Sequence, residues 1–412
     1  MDIFLKDISR DRIATWDHLI DDLNNSSIYN IYCKSDDYYK VLKQIILSLL
    51  TGKEIILLDS DSTDAEIKKL TGHTDLSEFN TVLNKGFIPK INNKRDLIQT
   101  IKNPPPNWKI TLFTSGTTGI PKKVSHTFTS ISRFVKTSER TKDNIWGFAY
   151  NPTHMAGIQV FFQALLNGNS IIRLFGLSNN EIFNEIRNNH ITNISATPTF
   201  YRLLLPCSEK FSSVKRITSG GEKFNKSTFD QLSIVFPNAK ITNVYASTEA
   251  GTLFASQDEV FSIRSDFEAF IQIKNNELFI HGSLLGKTTT IFGEWYNTGD
   301  LVEIVSQQPL KFRFLNRKSE MINVGGYKVN PLEVEEVILE VKGITNVRVF
   351  PKKNSILGNI ICCEVVSSDH QITEAKIRSL LQYKLQEYKI PRIITFVDSL
   401  PTTRTGKIKR NS

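Results

Sequence analysis

A glycine- and hydroxyl-rich run with one lysine directly follows a predicted strand. In order, the run contains Thr114, Ser115, Gly116, Thr117, Thr118, Gly119, Ile120, Pro121 and Lys122. The glycines let the backbone bend closely around an anion, so the N–H groups, hydroxyls and lysine can surround a polyphosphate. The spacing is not that of a Walker loop, because no Gly-x-x-x-x-Gly-Lys-Ser/Thr fits it. The alternative interpretation is a mobile surface loop.

Two further polar groups each follow a predicted strand. The first contains Ser219, Gly220, Gly221 and Glu222, and the second contains Tyr245, Ala246, Ser247, Thr248 and Glu249. Open α/β sheets bind ligands at the carboxyl ends of their strands. Both groups are therefore expected to face a ligand.

Together with later segments, these groups resemble the motifs of the acyl-adenylate-forming superfamily. That superfamily includes acyl- and aryl-CoA synthetases, peptide-synthetase adenylation domains and luciferases. Five segments follow its order: the loop 114–122, the groups 219–222 and 245–249, the run 296–300 with Arg317, the stretch 317–335, and the motif 401–407. The resemblance covers the chain from about residue 110 onward. Chance agreement of five segments is negligible.

The resemblance implies a nucleotide site. The residues expected to bind ATP and AMP are Thr114, Ser115, Gly116, Thr117, Thr118, Gly119, Gly221, Glu222, Tyr245, Asp300 and Arg317. Tyr245 would stack on adenine, Asp300 would accept from the ribose hydroxyls, and Glu249 would hold Mg²⁺. Each role suits its side chain, since a ring offers a π-face and a carboxylate suits a diol or a hard cation. Singly, Tyr245 is typical of a core aromatic, Glu249 of a solvated helix start, and Thr-Gly-Asp of a turn.

A two-step reaction is also implied, with Lys407, Thr248, Glu249 and Lys122 as the catalytic residues. Lys407 would serve the first step, in which the acid is joined to AMP. A turn of the small domain about Ser319 would then bring Gly325 and Gly326 to the thiol. Alone, Lys407 is typical of a solvated tail and the glycine pair of a tight turn.

Four positions depart from the family's usual pattern. Ala246 and Asn316 stand where glycine is usual, Ser319 stands where Asp or Lys usually marks the hinge, and Asn323 replaces a common lysine. Adenylation is still expected from the remaining residues. Whether the Ser319 hinge turns as in relatives is left open by the sequence.

The acid pocket is predicted from small residues and one histidine. The residues assigned to it are His154, Gly157, Ser219, Gly220 and Ala246. Small side chains at these positions favour a short pocket for an aromatic or other compact acid, such as a hydroxybenzoate. For His154 the alternative is a hydrogen-bonded core histidine.

The acceptor thiol is predicted to be phosphopantetheine on a carrier protein, as in siderophore pathways, with CoA as the alternative, as in o-succinylbenzoate–CoA ligases. Net charge is +9, and residues 317–412 hold 16 Lys and Arg against 10 Asp and Glu. A basic end of the chain suits an acidic carrier protein, although a solvated basic surface explains it equally. A catalytically silent nucleotide-binding module is a further alternative. The retained Lys122, Glu249, Asp300, Arg317 and Lys407 argue against it.

The elements that must position these residues follow an alternating pattern. Strands are predicted at 54–59, 109–114, 144–150, 170–174, 191–196, 214–218 and 240–245, with helices at 127–140, 155–167, 180–188 and 225–236. Short strands at 268–274, 277–281 and 301–305 indicate a β subdomain. Beyond residue 316 we predict helices at 331–340 and 373–388 and strands at 345–350, 359–366 and 393–397.

The predicted fold class is α/β, with αβ-layered sheets and a β subdomain in a large N-terminal domain, followed by a small α+β lid domain. The domains are assigned to residues 1–315, with a shortened N-terminal part, and 316–412. Their roles are ATP and acid binding for the first, and mobility with the catalytic lysine for the second.

Composition excludes several classes of protein. In 412 residues, 40% are hydrophobic and 23% charged, which are ordinary globular values. The apolar runs are too short to cross a membrane, and the start of the chain lacks the features of a signal peptide, so a cytoplasmic location is expected. Four cysteines without Cys-x-x-Cys pairs favour neither zinc nor a disulfide scaffold. Scattered basic residues without a recognisable module argue against nucleic acid as a partner.

Overall fold

The computed structural model describes most of the chain. The described residues are 2–26, 28–72, 82–84, 90–114, 122–222, 224, 226–288, 293–324, 327–354, 358–369, 371–404 and 406–409. Seven predicted site residues lie outside them: Ser115, Gly116, Thr117, Thr118, Gly119, Gly325 and Gly326. For Thr114 only the backbone is described, at the end of a strand.

The described strands are numbered in chain order. They are β1 Ile3–Asp7, β2 Arg12–Thr15, β3 Ile28–Asn30, β4 Tyr32–Lys34, β5 Ile55–Leu58, β6 Val82–Asn84, β7 Ile110–Thr114, β8 Lys122–His126, β9 Ile145–Phe148, β10 Ser170–Arg173, β11 Asn193–Ala196, β12 Arg216–Gly220, β13 Lys240–Ser247, β14 Gly251–Ser256, β15 Val260–Ser262, β16 Ile271–Lys274, β17 Glu277–His281, β18 Trp295–Gln307, β19 Leu310–Arg317, β20 Ile322–Val324, β21 Tyr327–Val329, β22 Ile344–Asn354, β23 Gly358–Ser367 and β24 Ile393–Phe396.

The described α-helices are numbered in the same way. They are α1 Trp16–Asn25, α2 Tyr38–Thr51, α3 Asp64–Thr71, α4 Lys94–Ile101, α5 Phe128–Ser132, α6 Met155–Leu165, α7 Asn179–Asn188, α8 Pro198–Leu203, α9 Lys226–Val235, α10 Pro331–Leu339 and α11 Glu374–Lys384. None of the helices in the described part of the chain is long and apolar enough to span a bilayer.

Side-chain caps fix where many of these helices begin. Thr63 and Ser178 form capping boxes with Glu66 and Glu181, satisfying backbone N–H groups that the helix itself leaves free. Thr197 likewise accepts from the Phe200 N–H at the start of α8. This cap helps fix a short helix that borders the candidate site.

Two sheets form the large domain. The larger has the order β14-β13-β12-β11-β9-β10-β1-β2, in which the inner strands from β13 to β1 run parallel and β14 and β2 are antiparallel edges. The second has the order β4-β5-β7-β8. Every residue of β5 is buried, as expected for a parallel strand covered on both faces. Helix α2 contributes apolar residues to the same core as both sheets.

A five-stranded antiparallel sheet, in the order β15-β19-β18-β17-β16, follows the larger sheet and has its own buried cluster. Its long pair, β18 and β19, sets Asp300 opposite Arg317. This sheet is the predicted β subdomain.

The C-terminal part has a separate core. The hairpin β20–β21, the sheet β22-β23-β24 and helices α10 and α11 share one apolar cluster that begins at Ile322. The fold is therefore a large α/β domain with a smaller C-terminal domain, as predicted. The predicted boundary between residues 315 and 316 falls inside β19, two residues before that strand ends.

Most predicted elements are present with ends shifted by at most four residues, but three differ. The strand predicted at 301–305 is part of β18, which begins six residues earlier at Trp295. The helix predicted over 127–140 ends at Ser132, whose hydroxyl donates back to the Phe128 carbonyl at 2.7 Å, a bond that competes with helix continuation. The strand predicted from residue 268 begins only at Ile271, because Ser265–Phe270 forms a 3-10 turn. Strands β1 and β2 and helices α1 and α2 were not anticipated.

Candidate active site

The two polar groups at strand ends lie side by side. Strands β12 and β13 are parallel neighbours, with Gly220 opposite Val244. Their carboxyl ends therefore bring Gly221 and Tyr245 to one edge of the sheet, as predicted. A β-bulge between Tyr245 and Ala246 then redirects the chain toward the antiparallel strand β14.

Tyr245, Asp300 and Arg317 form one hydrogen-bonded cluster. The Tyr245 hydroxyl donates to Asp300 Oδ2 at 2.5 Å, and Arg317 Nε donates to Asp300 Oδ1 at 2.9 Å. Phe314 stacks on the Tyr245 ring with centroids 4.3 Å apart and planes inclined by 11°. One face of the tyrosine is thus covered by protein, while the carboxylate of Asp300 already has a donor on each oxygen.

Burial and charge fix the protonation of this cluster. Burial, reinforced by the Asp300 carboxylate, raises the pKa of Tyr245 well above its usual value, so its hydroxyl stays a neutral donor. Burial alone would lower the pKa of Arg317, but Asp300 outweighs that effect and raises it. The cluster consequently presents an ion pair with a neutral tyrosine at its side.

The backbone of Thr248 and Glu249 is held by two neighbouring loops. His126 Nε2 donates to the Thr248 carbonyl at 2.7 Å, and the Gly286 N–H donates to the Glu249 carbonyl at 2.7 Å. The Tyr296 hydroxyl donates weakly to Glu249 Oε1 at 3.4 Å. These contacts aim the Glu249 carboxylate into the cleft without neutralising it.

Lys122 opens strand β8 and lines the same cleft. Its Nζ lies 5.9 Å from the centre of the Tyr296 ring. A cation and a carboxylate, Lys122 and Glu249, therefore border the same tyrosine.

Glu249 fits a magnesium ion that arrives with a nucleotide rather than one held by protein alone. Among the described residues there is no group of three or more His, Cys, Asp or Glu side chains that could hold a metal. Mg²⁺ commonly binds through one or two carboxylates plus substrate phosphates and waters. One carboxylate in a cleft also lined by Thr248 and Lys122 meets that requirement.

Lys407 reaches the cleft from the far end of the chain. A Cβ placed on Gly221 would lie 3.0 Å from Lys407 Cε and 3.3 Å from its Nζ. Gly221 also has φ of +88°, so both its backbone and its neighbour require glycine. Burial lowers the pKa of Lys407, and the opposing attraction of Glu222 does not restore it.

Glu222 lines the cleft and also contacts the segment that carries Lys407. Its Oε2 accepts from the Thr199 hydroxyl at 2.7 Å and the Thr199 N–H at 3.2 Å, and its Oε1 accepts from the Ile408 N–H at 3.3 Å. Both carboxylate oxygens thus have protein partners. The geometry favours a role in holding Lys407 over the predicted direct contact with nucleotide.

His154 lies at the cleft with an acidic partner. Its Nε2 is 3.0 Å from Asp59 Oδ1, within ion-pair distance but not aligned for a hydrogen bond. Burial tends to raise the pKa of Asp59, but His154, Thr153 and Arg404 together lower it. His154 is a cleft residue, as predicted, and not a fully enclosed core histidine.

Two residues predicted for the acid pocket, Gly157 and Ser219, are not among the residues that line this cleft. Gly157 is buried in α6, where a Cβ would lie 2.3 Å from the Asn151 carbonyl oxygen, so the glycine permits close packing. Ser219 is fully buried, and its hydroxyl has no partner among the described atoms.

One cleft of about 1870 Å³ is lined by the other predicted site residues whose side chains the structure describes. Those on its wall are Lys122, His154, Gly220, Gly221, Glu222, Tyr245, Ala246, Thr248, Glu249, Asp300, Arg317, Ser319 and Lys407. Ser319 lies in the 3-10 turn Lys318–Glu320 that follows β19. Segments nearly three hundred residues apart therefore meet at one place.

Two features of this cleft could not be predicted from the sequence. Phe314 lies in β19 and stacks on Tyr245. The alternation of side chains along a strand predicts that Phe314 shares a face with Phe312, but it does not predict the contact with Tyr245. Arg404 pairs with Glu66 and Asp61, which are 338 and 343 residues away in the chain. No local sequence pattern indicates these ion pairs.

Comparison with known proteins supports one family. The model described as AMP-binding enzyme matches residues 37–267, and the AMP-binding enzyme C-terminal domain matches residues 333–407. A 2-succinylbenzoate–CoA ligase from Staphylococcus aureus (strain MSSA476) is 26% identical over 391 residues, covering 88% of this chain and 78% of the relative.

Solved structures share the fold. ATP-bound MatB from Rhodopseudomonas palustris superposes with a TM-score of 0.73 at 16% identity, covering 99% of this chain and 94% of the other. The o-succinylbenzoate CoA synthetase of Bacillus subtilis, in complex with its acyl-adenylate intermediate, gives 0.70 at 17% with the same coverage. The chain belongs to the AMP-binding enzyme family and is an AMP-forming acid–thiol ligase, which activates a carboxylic acid with ATP.

Proposed function

We propose that the protein joins a compact carboxylic acid to CoA through an acyl-adenylate. The convergence of Gly221, Tyr245, Asp300 and Lys407 on one cleft carries this proposal. In the first step the acid's carboxylate oxygen attacks the α-phosphorus of ATP, and pyrophosphate leaves. In the second step the thiol sulfur attacks the acyl carbon, the mixed anhydride breaks, and AMP leaves while the thiol proton passes to solvent.

The adenosine would lie against the Tyr245–Asp300–Arg317 cluster. The exposed face of Tyr245 would stack on the base, since Phe314 covers the other face. The ribose hydroxyls would donate to Asp300, whose oxygens can each accept a second hydrogen bond beside those from Tyr245 and Arg317. The hydrogen bond from Arg317 Nε would hold the Asp300 side chain in place.

The phosphates would lie between Thr248, Lys122 and Lys407. Two anions must meet in the first step, so catalysis depends on positive charge and hydrogen-bond donors placed in advance. Lys407 would contact both the acid's carboxylate and the α-phosphate, and the Thr248 hydroxyl would donate to that phosphate. Mg²⁺ at Glu249 would offset the charge on the leaving pyrophosphate. The predicted loop 114–119 would complete the phosphate contacts.

The second step requires Lys407 to withdraw. We propose that residues 316–412 turn about the Ser319 region as a mobile domain while residues 1–315 retain the adenylate. The Gly325–Gly326 hairpin would then border the thiol channel. His154, Gly220 and Ala246 would form the edge of the acid pocket.

CoA is the proposed acceptor in place of the carrier protein expected from the sequence. The relatives are named as CoA ligases, which favours the alternative that sequence analysis ranked second. The basic excess after residue 317 suits the phosphates of CoA as well as an acidic protein. Compact aryl acids, with 2-succinylbenzoate foremost, are the proposed substrates.

The proposal is tested by an acid screen followed by an acceptor comparison. Pyrophosphate release is measured with 2-succinylbenzoate, hydroxybenzoates and short aliphatic acids, first with CoA and then with a phosphopantetheinylated carrier protein. We expect one aryl acid to dominate and its CoA thioester to accumulate. Efficient carrier loading without CoA thioester would restore the carrier-protein interpretation. If ATP binds but none of the tested acids leads to pyrophosphate release, the result would favour a catalytically silent nucleotide-binding module.

A further inference from the structure

The segment that carries Lys407 is held against the large domain on two sides. We define the closing segment as residues 401–404 and 406–409. On one side Thr197 Oγ1 donates to the Gly406 carbonyl at 3.2 Å, and Glu222 accepts from the Ile408 N–H. On the other side the contact is ionic and runs through Arg404.

Arg404 directs each guanidinium nitrogen at a different carboxylate of the large domain. Nε lies 2.8 Å from Asp61 Oδ2, Nη2 lies 3.2 Å from Glu66 Oε2, and Nη1 lies 3.9 Å from Asp59 Oδ2. The three acidic residues follow β5 or begin α3, so they are attached to the central part of the large domain. A planar fork that meets three acceptors at once is a geometry that lysine cannot reproduce.

We propose that Arg404 is a positioning residue. Its ion pairs with Asp59, Asp61 and Glu66 hold the closing segment in place with Lys407 in the cleft, and they break before thiol transfer. The side-chain contacts of Arg404 with described residues are those with Asp59, Asp61 and Glu66, none of which is assigned to the nucleotide, so we assign Arg404 a role through the segment's position. The catalytic part of this inference rests on the proposed function, whereas the positional part does not.

Partial exposure makes the contact reversible. The side chains of Arg404 and Asp61 are 40% and 62% exposed, so each single pair is weak and screened by salt. Three ion pairs together hold the segment more strongly than one pair, but they can still break and be replaced by contacts with water. Such a contact suits a segment that must dock for one half-reaction and leave for the next.

The positional part is tested by hydrogen exchange in the full-length protein without ligands. The amides of Gly406, Lys407 and Ile408 are hydrogen-bonded in the docked segment. We expect Arg404→Gln to speed their exchange about threefold to tenfold. Arg187→Gln is the matched control, because it removes an exposed ion pair with Glu209 that lies within the large domain. Unchanged exchange in Arg404→Gln would overturn the proposal, whether or not the protein is active.

Charge reversal separates a positional role from a general loss of stability. Arg404→Glu should undock the segment further, and adding Asp61→Arg should restore slow exchange. Asp61 suits this test because its one described ion pair is with Arg404. Failure of the double variant to recover, with each protein folded by circular dichroism, would contradict the pairing.

The catalytic part predicts opposite effects on the two half-reactions. In Arg404→Gln, ATP–pyrophosphate exchange should fall about threefold to tenfold, while transfer from supplied acyl-AMP to CoA should be unchanged or faster. Raising the ionic strength should reduce the rate of ATP–pyrophosphate exchange more in the wild type than in Arg404→Gln, because the wild type has the Arg404 ion pairs for salt to screen. Equal loss in both half-reactions would contradict a positioning role. A wild-type protein that is inactive with every acid would refute both the proposed function and this catalytic part. The amide hydrogen-exchange test would then decide the positional part by itself.

Discussion

Gly221→Ala tests whether the close approach of Lys407 to the strand end is used in catalysis. The substitution has two effects. At φ of +88° an alanine backbone costs about 1–2 kcal/mol. Its Cβ would also lie 3.0 Å from Lys407 Cε, and the flexible lysine end would move rather than the strand. The lysine end would have to move by a few tenths of an ångström. Because a misplacement of about 1 Å can lower a rate about 100-fold, this smaller shift should lower it about threefold to tenfold.

Gly72→Ala separates the two effects. Gly72 also has a left-handed backbone, with φ of +77°, but its Cβ would meet no described atom within 4 Å, and it does not line the cleft. Urea unfolding should show a similar loss of about 1–2 kcal/mol in both variants. ATP–pyrophosphate exchange should fall about threefold to tenfold in Gly221→Ala alone. Equal exchange rates in the two variants would show that the Lys407 contact has no catalytic consequence.

Three further predictions concern the nucleotide cluster, the lysine and the pocket wall. Asp300→Asn removes the charged acceptor of Tyr245 and Arg317 and should weaken ATP binding about 10- to 100-fold by calorimetry, whereas Asp266→Asn, on an exposed carboxylate, should not. Burial lowers the pKa of Lys407, so the amine should lose its charge at a lower pH than an ordinary lysine. The adenylation rate should therefore fall as the pH is raised, starting below the pH range in which lysine usually titrates. In Lys407→Arg the remaining adenylation activity should fall only at a higher pH. If the pH dependence of the variant equals that of the wild type, Lys407 is not the group that titrates. Gly157→Ala should destabilise folding by about 1–3 kcal/mol without changing acid preference; wild-type stability with an altered preference would return Gly157 to the pocket.

The sequence predicted where the site lies because its motifs follow strands. Gly221 and Tyr245 come directly after β-like runs, and parallel neighbours necessarily bring their carboxyl ends to one edge. Asp300 and Arg317 are likewise brought opposite each other by one antiparallel pair. Local pattern and sheet geometry were sufficient for these positions.

Other features depended on long-range packing that no local pattern records. Gly157 and Ser219 were taken for wall residues because they are small, but smallness serves equally where backbones pack closely. The pairing of Arg404 with Asp61 links positions 343 residues apart, and it depends on how the small domain docks. The helix after Thr127 ends early at Ser132, whose hydroxyl bonds to the Phe128 carbonyl and competes with helix continuation.

The roles assigned to the cleft are tested most directly by separating the half-reactions in Lys407→Ala. ATP–pyrophosphate exchange with the preferred acid should fall to background, because the mobile cation that meets both the carboxylate and the α-phosphate is gone. Transfer from supplied acyl-AMP to CoA should proceed near the wild-type rate, since the proposed domain turn withdraws Lys407 from the cleft before this step. Equal loss of both half-reactions, or wild-type exchange, would contradict the assignment of Lys407 to the first step.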